Sequence, residues 1–195
     1  HYSNANFKAP NNSTNTFVFN VGANYLFDYE QEPEYQPSTE EKKFTEPIRY
    51  NIAFRGGLNE SDVVNSGQFP LYTFSVYADK RINRKSALQF GTEAFFATFL
   101  KELIYYKSVA FPEENVSGDE DWKRLGVFIG HELFINKLSF VSQLGYYVYY
   151  PFDFEGRVYN RIGLKRYFGK VFGAVTVKSH GAKAEGVEFG IGVRL

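Results

Sequence analysis

The sequence predicts an all-β chain: an antiparallel, up-and-down transmembrane β-barrel of about eight strands in residues 47–195, with a hairpin before it. Three observations predict this. Apolar and polar residues alternate with a period of two in segment after segment. Short and long connections take turns along the second part of the chain. No stretch approaches the roughly 18 consecutive apolar residues of a membrane-crossing helix. The mean hydropathy is negative, which argues against a helical membrane protein but suits a barrel whose lumen-facing residues dilute the average.

Taken in order, the elements begin with residues 1–27. From Thr16, the apolar Phe17, Phe19, Val21, Ala23, Tyr25 and Phe27 alternate with Asn20, Gly22 and Asn24, so this part reads as the terminal hairpin of a preceding repeat. Residues 28–46, DYEQEPEYQPSTEEKKFTE, are rich in Glu, Pro and Lys and read as a polar linker or long loop. The dyad rhythm then returns. Tyr50, Ile52 and Phe54 alternate with Asn51 and Arg55, and Tyr72, Phe74 and Val76 with Thr73 and Ser75. Leu88 and Phe90 follow, then Leu125, Val127 and Ile129, then Phe140, Leu144 and Tyr146. Ile162 and Leu164, Val175 and Val177, and Phe189, Ile191 and Val193 complete eight strands. Each has one apolar face and one face of charge, amide or glycine.

Such strands can build a sandwich with a dry core or a barrel with a polar lumen. The connections favour the barrel. Short turns fall at residues 82–85, 135–137 and 168–170, and longer loops at 58–69, 100–121, 151–156 and 181–186. Outer-membrane barrels have this asymmetry, with short periplasmic turns and long extracellular loops. Tyr105-Tyr106, Tyr146-Tyr147, Tyr149-Tyr150 and Tyr167-Phe168 sit near strand ends, where aromatic girdles belong. Closure into a small barrel avoids open strand edges in lipid. A single larger barrel that includes further strands is the alternative. A soluble lipid-binding barrel would need an apolar interior, which faces rich in Gly and paired charge do not provide.

Composition narrows the function classes. With 22 basic and 22 acidic residues, the chain has no net field to attract nucleic acid. It has no Cys and no Met, which excludes disulfides and thiolate metal sites.

The segment His1-Tyr2-Ser3-Asn4-Ala5, followed by Pro10-Asn11 and an alternating strand, carries the clearest chemical signal. In an extended chain His1 and Ser3 project from one face, and a serine hydroxyl needs such a base to become a nucleophile. This pattern resembles the lipid A 3-O-deacylase (PagL) family of outer-membrane esterases. The resemblance implies that His1 is the base and Ser3 the nucleophile, with Asn4 and Asn11 as oxyanion candidates. The family's acidic residue, which orients the His, falls at Asn15 or its neighbours Ser13 and Thr14, none of them acidic. An Asn can hold an imidazole in one tautomer but stabilises the imidazolium less than a carboxylate does. The chain opens directly on the motif, without a signal peptide, and so reads as a fragment.

A second segment, His180-Gly181-Ala182-Lys183-Ala184, resembles a degenerate copy of HYSNA in which Ala182 replaces the nucleophile. This two-part arrangement is similar to the acyloxyacyl hydrolase group of lipid A deacylase-like proteins, known chiefly from Bacteroidetes. Ser179 beside His180 is expected on the opposite strand face. Weaker signals are His131-Glu132, which lacks the second His of a zinc protease and whose His131 reads as a membrane-edge or strand-end residue, and the acidic residues Glu113, Glu114, Asp119, Glu120 and Asp121, which read either as a site for the cations that bridge lipopolysaccharide or as the solvated face of an exposed loop. Gly126 and Gly130 are expected to ease strand curvature. Arg124, Arg161, Lys165, Glu93 and Glu132 are expected to form a charge network inside the barrel. The resemblance implies an outer-membrane esterase that acts on lipid A of the outer leaflet with neither metal nor organic cofactor; the alternative is a non-catalytic barrel serving as anchor or surface-binding protein.

Overall fold

The computed structural model describes residues 21–23, 46–60, 66–181 and 183–195. It contains a closed barrel of eight antiparallel strands joined in sequence order. These are β1 (Arg49–Glu60), β2 (Gln68–Arg81), β3 (Ser86–Ala97), β4 (Arg124–Ile135), β5 (Leu138–Tyr149), β6 (Val158–Phe168), β7 (Val171–His180) and β8 (Lys183–Arg194). The last strand closes on the first with Asn51 opposite Arg194 and Leu58 opposite Val187, so the sheet has no edge.

Alternation sets which side of the wall each residue takes. Ile52, Phe54, Phe74, Ile162, Val175 and Phe189 face outward and are largely exposed, whereas Asn51, Arg55, Ser75, Glu93, Arg161 and Glu188 face inward and are buried. The polarity is therefore inverted relative to a soluble barrel: the apolar residues coat the outside. An outer wall of this kind is at its lowest free energy against hydrocarbon, where exposed aliphatic and aromatic groups carry no hydration cost.

The lumen is filled, not hollow. At its centre Arg161 makes a two-pronged contact with Glu188, Nε to Oε2 at 2.6 Å and Nη2 to Oε1 at 3.2 Å, while its Nη1 donates to Glu93 at 2.7 Å and to Gln143 at 3.1 Å. Arg55 donates to Glu93 Oε1 at 3.2 Å and to Ser75 at 2.5 Å, and Tyr159 donates to Glu93 Oε2 at 3.0 Å. Thr73 and Thr176 complete the shell of Glu188. Nearer the short turns, Glu132 accepts from Lys165, Gln89, Ser139 and Tyr167. All five charged residues expected in the lumen are there. Buried charges survive only when paired and hydrogen-bonded, and these are.

Inward glycines make room for this filling. A Cβ at Gly145 would lie 2.1 Å from the Tyr159 ring, one at Gly126 2.9 Å from the Tyr159 hydroxyl, and one at Gly192 2.3 Å from Phe172. The role expected for Gly126, easing curvature, is thus accompanied by a packing role. At the short-turn end, Asn136 (φ 58°) and Gly169 (φ 71°) supply the left-handed residue of two-residue hairpins.

Three connections differ from the sequence reading. The strands around the first long loop extend to Glu60 and resume at Gln68, and β8 starts at Lys183, so residues 181–186 are mostly strand. The segment read as a polar loop from 100 to 121 contains a helix, α1 (Phe99–Ala110), and a short 3-10 turn at Pro112–Glu114. The helix buries Phe99, Leu100, Leu103 and Ile104, and these pack with Leu71, Ala97 and Phe152 into an apolar lid over the long-loop end of the barrel.

Replacing Glu93 with Gln leaves Arg161 and Arg55 short of one buried negative charge. Glu93→Gln is expected to destabilise the folded barrel by about 3–5 kcal/mol. A paired Glu93→Gln, Arg161→Met variant is expected to lose less than the sum of its two single changes. Urea unfolding in detergent, followed by heat-modifiable migration, checks both.

Candidate functional site

His1, Ser3, Asn4, Asn11 and Asn15 lie outside the described residues, as do Ser13 and Thr14. The second histidine segment is described. At the long-loop end of the lumen, His180 ends β7 and Glu185 lies on β8; His180 Nδ1 is 3.4 Å from Glu185 Oε2. Arg124 from β4 reaches Glu185 Oε1 at 2.5 Å, and Lys178 reaches Oε2 at 2.6 Å. The His180 Nε2 lies 3.2 Å from the Tyr147 hydroxyl, and Phe154 meets the imidazole edge-on. A register shift between Lys178 and Ser179 produces this cluster. It leaves Lys178, Ser179 and His180 all buried, so strict alternation fails there.

The cluster does not constitute a nucleophile–base pair. The Ser179 hydroxyl accepts from Asn160 at 2.7 Å, while the hydrogen-bond partner of His180 is Tyr147. A general base must reach the proton it removes, within about 2.6–3.2 Å or through one water, and among the described residues neither ring nitrogen of His180 is hydrogen-bonded to Ser179: Nε2 meets Tyr147 and Nδ1 has no hydrogen-bond partner. The geometry is that of an ion network that seals the lumen beneath the α1 lid. The sequence placed Arg124 in the lumen and Lys178 on the polar face of its strand but did not single out Glu185, whose parity the register shift hides; Tyr147, expected with Tyr146 in an aromatic girdle, instead points inward and is fully buried.

His131 is not at a strand end. It sits within β4, half-buried on the outer face, with Leu88 and Ser142 as its register partners. Its neighbour Glu132 points into the lumen and is spent on Lys165. His131 and Ser142 lie toward the short turns, on the opposite side of the wall from that lumenal network.

The acidic residues of the long loop are engaged in turn geometry. Glu120 accepts the backbone N–H groups of Ser117 at 2.7 Å and Gly118 at 3.0 Å. Asp121 accepts from the Lys123 N–H at 3.1 Å and the Tyr149 hydroxyl at 3.0 Å, and Glu114 pairs with Lys107 at 2.8 Å. Among the described residues no group of three His, Asp or Glu side chains converges as a metal site. Tyr150 forms a bridge to the Phe154 backbone, and burial pushes its phenol up to about 12, so it remains a donor.

A family model described as acyloxyacyl hydrolase, C-terminal domain, matches residues 48–195. The chain belongs to this PagL-like family. The matched region coincides with the barrel, from β1 through β8. A search among curated proteins returned no match. The family suggests a lipid A deacylase-like outer-membrane protein.

The loop carboxylates allow a pH prediction. For Glu120 slight burial acts upward, but the N–H groups of Ser117 and Gly118 outweigh it and hold the carboxyl below its usual 4.5. For Asp121 the Lys123 N–H is the main cause that holds it below 3.8. Lowered folded values mean that these contacts stabilise the turn above the ordinary carboxylate range and are lost only as the pH falls through the lowered values. Amide resonances of Ser117, Gly118 and Lys123 are therefore expected to titrate with midpoints below 4.5 for Glu120 and below 3.8 for Asp121.

Proposed function

We propose that this chain is part of an outer-membrane lipid A deacylase-like esterase in which residues 47–195 form the barrel that holds the site at the leaflet and residues 1–27 carry the chemistry. The observation that supports it most is the conjunction of an acyloxyacyl hydrolase C-terminal domain with an apolar outer wall around a filled, charged lumen. A filled lumen offers no channel, so the substrate approaches along the wall, where an outer leaflet presents lipid A.

In this reading the Ser3 hydroxyl attacks the acyl carbonyl while His1 accepts its proton. Asn4 and Asn11 donate to the oxyanion, and Asn15 holds the imidazole. Collapse breaks the ester C–O bond, and His1 returns the proton to the departing sugar oxygen. Water then attacks the acyl-enzyme with His1 again as base, and the fatty acid leaves. Neither a metal nor an organic cofactor takes part.

A second reading, a non-catalytic outer-membrane barrel, is favoured by one observation: the histidine segment within the barrel has Ala182 in place of a nucleophile, and its His180 and the preceding Ser179 are held by Tyr147 and Asn160, apart from each other. Mass spectrometry of lipid A from outer membranes that express the protein separates the two. Esterase action predicts loss of one ester-linked acyl chain, and Ser3→Ala and His1→Ala are each expected to abolish it with barrel folding intact. Retained deacylation in Ser3→Ala overturns the proposed nucleophile, and unchanged lipid A from the inserted parent across several lipid A types supports the non-catalytic barrel.

The membrane setting has its own test. Ile162 is 47% exposed on the outer wall at the middle of β6. Ile162→Arg is expected to destabilise the lipid-inserted barrel by about 2–4 kcal/mol. In a wall facing water it would cost almost nothing, and urea unfolding from vesicles distinguishes the two.

A further inference from the structure

The two ends of the barrel differ in charge. The short-turn rim exposes Arg84, Lys85, Lys137, Arg166 and Lys170, and none of these five pairs with a carboxylate among the described residues. Glu46 is spent on Arg49 and Arg81, and Asp79 is spent on Arg194. The opposite end carries Glu102 on α1 and Glu113, Asp119 and Asp153 in its connections. Unneutralised cations along one rim attract anions from the surface they face.

That rim also has a shaped recess. A groove of about 640 Å³ lies between the β2–β3 and β4–β5 turns, lined by Arg81, Arg84 and Lys85 together with Leu133, Phe134 and Ile135. Arg81 is fixed in it: its guanidinium lies 3.8 Å from the centre of the Phe134 ring and donates to the Arg84 carbonyl at 3.3 Å. The Asn83 side chain accepts from the N–H groups of Lys85 and Ser86 at 2.8 Å each, which orders the turn that presents the cations. A second groove, also about 640 Å³, lies farther from the turns on the outer face that Leu133 and Ile135 share, and is walled by Leu88, Phe90, Ile129 and Leu144 around His131 and Ser142. Small side chains at Ala78 and Ser142 leave this hollow between larger neighbours. His131 stands two residues from Leu133 on the same face of β4, so the two grooves follow one another along the wall.

A cationic recess at the rim that leads into an apolar furrow along a lipid-facing wall matches the shape and polarity of one molecule class. We propose that this face binds an anionic glycerophospholipid of the leaflet at the short-turn end. Its phosphate would be held by Arg84 and Lys85, and an acyl chain would lie along Leu88, Phe90 and Leu144. Polybasic positions at a membrane surface favour anionic lipid in this way. The inference rests on the membrane reading above and is independent of the esterase reading.

The test is native mass spectrometry of the full chain, refolded into vesicles of equal phosphatidylglycerol and phosphatidylcholine and released in mild detergent. Retained phosphatidylglycerol is expected to exceed phosphatidylcholine by at least about fivefold. An Arg84→Ser, Lys85→Ser variant is expected to bring the ratio close to one with heat-modifiable folding unchanged. A Lys101→Ser, Lys123→Ser variant, altered at the other end, is expected to keep the preference. Equal retention of both lipids, or the same preference without Arg84 and Lys85, overturns the proposal. Dimers without retained lipid would assign the face to contact between copies and also overturn it. Failure to insert into any vesicle would instead contradict the membrane reading itself.

Discussion

The structure depends on the ion network centred on Arg161. An eight-stranded barrel leaves a lumen just wide enough for side chains, and here those side chains are charged, so each must be matched or the lumen becomes a source of instability. Arg161 joins Glu93 on β3, Gln143 on β5 and Glu188 on β8. Through Glu93 it also reaches Arg55 on β1 and Ser75 on β2. One guanidinium thereby ties together strands far apart in sequence. The glycines follow from it, since the rings and guanidinium groups that fill the lumen need the space that Gly145, Gly126 and Gly190 leave.

A lumen filled in this way moves function to the wall and the rims. With the long-loop end closed by Phe99, Leu103 and Phe152 and the space beneath it occupied by the Glu185 cluster, the described residues leave no path for a ligand through the barrel. Its long-loop end is acidic and aromatic, and its short-turn end is basic. On the two proposals above, lipid A is met at the first and phospholipid at the second.

Much of this was legible in the sequence because side-chain parity in a strand is strict. Phe54 and Arg55, or Gly163 and Leu164, declare opposite sides of the wall without any knowledge of their partners, and the Arg161, Lys165, Glu93 and Glu132 network follows from parity alone. Parity says nothing about connections. Phe99, Leu100, Leu103 and Ile104 carry a helical spacing, yet the length and polarity of the surrounding segment read as loop; the helix is selected by the open barrel end it covers, a tertiary cause. The register shift at Lys178 and Ser179 is likewise invisible locally, and it concealed the Glu185 cluster. The proposed chemistry at His1 and Ser3 rests on motif resemblance, because those residues lie outside the described structure.

The most direct test of the inverted barrel is lipid contact read residue by residue. The chain has no native cysteine, so single cysteines at Phe54, Ile162, Val175 and Phe189, and at the inward neighbours Ala53 and Ala174, can each carry a fluorophore without background. In vesicles of lipid brominated on its acyl chains, strong quenching is expected at the four outward positions and weak quenching at Ala53 and Ala174. Equal quenching at Phe54 and Ala53, or none at any outward position in a folded barrel, would contradict an apolar wall in lipid around a filled, charged lumen.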